Sequence, residues 1–91
     1  MLRITESIEN GKTIRLRLDG TITAASFAEI DEAYLLHRQK DQRTIILDMA
    51  GVSFMDPESA QKLVQLRSKD LRIINCSPFI ATLLDSAEST T

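Results

Sequence analysis

The sequence predicts an α/β domain: a mixed sheet of about four strands backed by about three helices, in the order ββαβαβα. Three observations carry this expectation. Ile14, Leu16 and Leu18 alternate strictly with Arg15, Arg17 and Asp19 behind an Asn10-Gly11 turn signal. Thr44-Ile45-Ile46-Leu47-Asp48 is a continuous apolar run. Between and after these runs, apolar residues recur at helical spacing, and strands that alternate with helices imply parallel crossovers.

Leu2, Ile4 and Ile8 are spaced for a first strand, and Asn-Gly is a strong signal for a tight hairpin into the second. After Gly20 the period changes. Phe27, Ile30 and Tyr34 share one helical face, and Ser26 with Glu29 has capping-box spacing, which predicts a helix over 26–37. A polar connection, Lys40-Asp41-Gln42-Arg43, leads into the run at 44–48, expected to be a central strand covered on both faces, with Ile45, Ile46 and Leu47 the most buried. Gly51 marks a turn and Val52 to Phe54 a short apolar stretch. Asp56-Pro57 then reads as an N-cap with proline at the first helical position, opening a helix to about Lys69 that carries Ala60, Leu63, Val64 and Leu66. Leu71, Ile73 and Ile74 form the next strand, and Ser77-Pro78 repeats the start signal for a last helix with Phe79, Ile80, Leu83 and Leu84. The polar tail 86–91 is expected to fray.

Composition narrows the function. The balance of 11 basic and 13 acidic side chains, with no basic run and four aromatics, offers neither an electrostatic footprint nor stacking platforms for nucleic acid. A single cysteine, Cys76, cannot form an intramolecular disulfide and fits a reducing compartment, so a cytoplasmic location is expected. No segment approaches the ~20 apolar residues of a membrane span, and the mixed charged and apolar start is unlike a signal peptide. Residues 1–91 are expected to form one domain without direct membrane insertion.

Several of these segments, in this order, resemble the STAS family, named for sulfate transporters and anti-sigma factor antagonists. Leu16-Arg17-Leu18-Asp19-Gly20-Thr21-Ile22 looks like the family's second strand followed by its glycine. Thr44 to Asp48 is similar to its central strand, Val52-Ser53-Phe54-Met55-Asp56 to the segment before its regulatory loop, and Leu71 to Pro78 to a later strand and the start of the following helix. The resemblance implies a module of bacterial signalling and transcription regulation that binds proteins and carries out no reaction. Its partner would be an anti-sigma kinase or another signalling protein, with a homodimer left open. The alternative within the family is an accessory subunit of a lipid-transport ABC complex. The surface implied is the loop after Asp56 and the helix beyond it: Asp56, Pro57, Glu58, Ser59, Gln61, Lys62 and Gln65.

The loop departs from the family pattern. Anti-sigma factor antagonists typically read Asp-Ser-Ser-Gly or Asp-Ser-Thr-Gly there, and a kinase-type anti-sigma factor phosphorylates the first hydroxyl. Here Asp56-Pro57-Glu58-Ser59 puts Pro57 at the acceptor position, Glu58 at the second hydroxyl and Ser59 at the glycine. Proline has no oxygen to phosphorylate. Glu58 is read either as a charge that suits the helix N-terminus or as a constitutive stand-in for phosphoserine.

For Asp56 a capping role accounts for the residue, and a surface role is compatible with it. Asp48, at the end of the central strand, stands where α/β sheets often bind ligands, though a turn hydrogen bond explains it as well. His37 and Cys76 are the sole histidine and cysteine, so no metal set assembles around them; solvent is expected for His37 and packing for Cys76. With three glycines there is no phosphate-cradling loop, and no Gly-x-Ser-x-Gly elbow occurs. Asp48 and Asp56 alone supply neither nucleophile nor cofactor site, so no catalytic, cofactor or metal residue is assigned.

Overall fold

A computed structural model describes residues 1–40, 42–68 and 70–89. It contains β1 (Leu2–Asn10), β2 (Thr13–Ile22), α1 (Phe27–Tyr34), β3 (Thr44–Met55), α2 (Pro57–Leu66), β4 (Leu71–Ile74) and α3 (Pro78–Ser89), with a π-helical turn at Leu35–Lys40. This is the expected ββαβαβα order. The sheet runs β1-β2-β3-β4; β1 is antiparallel to β2, and β3 and β4 are parallel to it. The hairpin closes where expected, and the Lys12 N–H donates to the Asn10 side-chain oxygen at 2.8 Å.

Burial alternates along the strands. Ile14, Leu16, Leu18, Ile45, Leu47, Met49 and Leu71 are buried and join Phe27, Ile30, Ala60, Leu63, Ile80 and Leu84 in one core. Adjacent right-handed crossovers that step the same way along a sheet put their helices on the same side, which gives a two-layer domain. The other face carries Arg15, Arg17, Ile46 and Arg72, all at least partly exposed. Cover on both faces of β3 is therefore not found: Ile45 and Leu47 are buried, but Ile46 is only half-buried. Ile46 stands in register between Arg15 and Arg72, and long arginine stems beside an isoleucine shade part of its surface.

Three further expectations change. Ser26 does not cap α1 with its side chain; its hydroxyl instead accepts the Thr23 N–H at 3.0 Å and holds the loop before the helix. His37 is buried, 4% exposed, because the π-helical turn rotates it inward, where its Nε2 lies 3.0 Å from Glu6. The tail is helical to Ser89, anchored by buried Ala87. The remaining tail positions, 90 and 91, and Lys69, the expected end of the second helix, lie outside the described residues; α2 itself closes at Leu66.

Gly20 has a required conformation. Its φ is +107°, and a Cβ there would fall 2.0 Å from the Met1 carbonyl oxygen, which accepts the Thr21 N–H at 3.3 Å. Only glycine lets the start of β1 lie this close to β2.

Candidate functional site

β3 gains one extra residue against β2 between Asp48 and Gly51 and another between Val52 and Phe54. Each bulge reverses which residues face the core. Val52, between the two bulges, consequently points inward; the second bulge restores the original phase, with Met55 inward and Phe54 outward, 44% exposed. There its ring stacks with that of Phe79, 48% exposed, at a centroid separation of 6.1 Å. The pair was missed in the sequence, where the signal available was the broken alternation of Val52-Ser53-Phe54-Met55.

Two residues beyond Phe54, Asp56 caps α2. Its Oδ1 accepts the Ser59 N–H at 2.9 Å, with Pro57 at the first helical position. Its Oδ2 accepts the Ala24 N–H at 3.0 Å, tying the loop before α1 to the start of α2. Both oxygens are thus engaged. The nearby Ser59 hydroxyl, the Ser59 and Ala24 N–H groups and Lys62 hold the carboxyl below the usual aspartate value, against an opposing push from burial. A carboxylate with a lowered folded pKa adds stability above its unfolded value and loses that contribution as pH falls through the folded one. Asp56→Ala should therefore cost about 1–2 kcal/mol at pH 7. Urea titrations should show the gap between variant and wild type narrowing below the ordinary value of 3.8.

Along α2, Glu58, Gln61, Lys62 and Gln65 are exposed at i, i+3, i+4 and i+7, and so form one stripe. Ser59 is fully buried and offers no surface to another molecule in this conformation. Lys62 also has a local partner: its Nζ lies 5.5 Å from the centre of the Phe27 ring. Beside the stripe, a groove of about 230 Å³ is lined by Pro57, Gln61, Leu83, Ser86 and Ala87.

Asp48 is buried on the open face of the sheet. Its Oδ1 accepts the Asn75 side-chain N–H and the Ala50 N–H, each at 3.0 Å, and Arg15 Nε lies 3.5 Å from Oδ2. The Asn75 amide, the Ala50 N–H, Arg15 and Arg17 lower its pKa, against burial. This is the turn role: Asp48 fixes the first bulge and the left-handed Asn75 (φ 59°) that leads to α3. Ser77 caps α3 through the Ile80 N–H at 3.2 Å. Cys76 is half-buried, and burial pushes its thiol pKa up. Among the described residues no group of three or more His, Cys, Asp or Glu is placed to hold a metal, and no helix is long and apolar enough to cross a membrane.

Comparison with known proteins agrees with this geometry. A sequence model of the STAS domain matches residues 3–88. The anti-sigma factor antagonist SpoIIAA in its unphosphorylated form is similar in structure, with a TM-score of 0.71 and 21% identity over 91% of this chain and 82% of that one. An uncharacterized Shewanella loihica protein with a SpoIIAA-like fold gives a TM-score of 0.58 at 12% identity, covering 99% of this chain and 79% of the other. A protein described as Mglu gives 0.57 at 20% identity, over 81% of this chain and 20% of its own length. Among curated proteins no relative matches.

Proposed function

We propose that this chain, which belongs to the STAS domain family, works in a bacterial cytoplasm as a protein-binding module of the anti-sigma factor antagonist kind and catalyses no reaction. The observation that carries the reading is the α2 surface. An exposed polar stripe, Glu58, Gln61, Lys62 and Gln65, starts at a cap that both Asp56 oxygens hold rigid. The exposed Phe54–Phe79 pair lies on the strand leading into that cap and on the first turn of α3. Exposed aromatic side chains are enriched at protein interfaces. A kinase-type anti-sigma factor or a related signalling protein is the partner this surface suits.

Regulation differs from that of the phosphorylated relatives. Pro57 offers no hydroxyl at the acceptor position, and Ser59 is enclosed within the first turn of α2. The module is therefore constitutive with respect to that loop, and Glu58 supplies a fixed negative charge beside it.

Affinity purification of the chain from its native cell, followed by binding titrations with the recovered protein, tests the reading. Glu58→Lys with Gln61→Arg should weaken binding at least tenfold, about 1.4 kcal/mol, with an unchanged circular dichroism spectrum. Unchanged affinity for a verified partner would remove α2 from the interface.

A further inference from the structure

β1 is an edge strand whose free side is self-complementary. The Thr21 N–H donates to the Met1 carbonyl, and bonded and non-bonded pairs alternate along an antiparallel ladder. The odd-numbered residues of β1 therefore turn their peptide groups toward β2. Leu2, Ile4, Glu6 and Ile8 turn theirs outward, where no strand follows among the described residues. Natural edges are commonly blunted by proline, bulges or covering segments. This edge has no proline, keeps regular register from Leu2 to Ile8, and leaves Ile8 65% exposed.

We propose that two copies of this chain pair β1 to β1, antiparallel, about a twofold axis at Glu6, merging their sheets into one. The strand reads nearly as a palindrome about that residue. Ile4 falls opposite Ile8 of the second copy, Thr5 opposite Ser7, and Arg3 opposite Glu9. Outward peptide groups meet outward peptide groups from Ile4 to Ile8. Arg3 is exposed and makes no ion pair with the described residues. Glu9, held by Arg15 at 3.3 Å, presents a carboxylate on the same face. On the helical side, a cavity of about 260 Å³ is lined by Ile4, Glu6, Glu29, Glu32, Ala33 and Leu36. Ile8 of the second copy, delivered opposite Ile4, fills it.

The register is specific because a slip must move by a whole pleat to keep each residue on its own face. A slip that places Thr5 opposite itself puts Arg3 against Ser7 and Ile4 against Glu6, and both the charge match and the apolar match are lost. The cost of the proposed register is Glu6 opposite Glu6, each beside its own His37 at 3.0 Å. This contact uses the sheet edge and leaves the α2 stripe free, so it stands or falls apart from the partner reading.

Sedimentation equilibrium of the full chain from micromolar to millimolar concentration tests it. A reversible dimer is expected. Arg3→Glu should weaken it about tenfold. Arg3→Glu with Glu9→Arg should recover it, and Glu6→Gln should tighten it. In a Cys76→Ser background, Thr5→Cys mixed with Ser7→Cys should cross-link on oxidation, and Thr5→Cys alone should not, because only opposed residues bring their Cβ atoms within disulfide reach. A chain that stays monomeric throughout, a dimer indifferent to Arg3→Glu and Glu6→Gln, or self-linking of Thr5→Cys each overturns the proposal. Circular dichroism of every variant separates a lost interface from a lost fold.

Discussion

Leu47→Ala should lower the free energy of unfolding by about 2–5 kcal/mol, because it removes a buried side chain and leaves a cavity in a close-packed core. Leu47 is 1% exposed and sits between Leu16 and Ile73 in the register of the sheet. The same truncation one residue earlier, Ile46→Ala, should cost only about 1 kcal/mol, since part of that side chain already meets water. Urea titrations of the two variants give the comparison directly. Equal losses would mean that something covers the open face of the sheet in solution.

The second large effect is expected at Gly20. Gly20→Ala should cost about 3 kcal/mol, combining a backbone conformation that alanine disfavours with a collision against the Met1 carbonyl. The carbonyl belongs to the backbone, so relief requires the start of β1 to move away. Hydrogen exchange at the Thr21 amide, which bonds to that carbonyl, should then accelerate. Gly11→Ala is the control: a Cβ there meets nothing within 4 Å, and its cost should stay small. Comparable losses at both glycines would mean that the collision with the Met1 carbonyl is not the source of the cost.

The parts of this fold that are legible in the sequence are those set by neighbouring residues. Asn10-Gly11, Asp56-Pro57 and Ser77-Pro78 each act within a few positions, and each marks a turn or a helix start that the structure contains. What was not legible depends on segments far apart in the chain. Ile46 sits in the same apolar run as Ile45 and Leu47, and only the handedness of two crossovers decides that its face stays open. His37 reads as a polar helix end until a π-helical turn brings it to Glu6, 31 residues away. The Asp56 cap was visible, but its bond to Ala24 spans 32 residues and was not. The first bulge turns Val52 into the core and the second returns Phe54 to the open face, and bulges follow from pairing with β2, which the sequence of β3 alone does not contain.

The order of strands across the sheet is also their order along the chain. No strand has to be threaded between two that are already paired. As the polypeptide leaves the ribosome, β2 can close on β1 through a two-residue turn, β3 can then add to β2, and β4 to β3, each finding its template complete. Growth by addition at one side keeps the sequence separation of contacts short for a sheet with parallel strands, which favours rapid folding. It also means that a stalled chain always presents the last strand made as an open template, so the protection of an incomplete molecule passes from one strand to the next until β4 and α3 arrive.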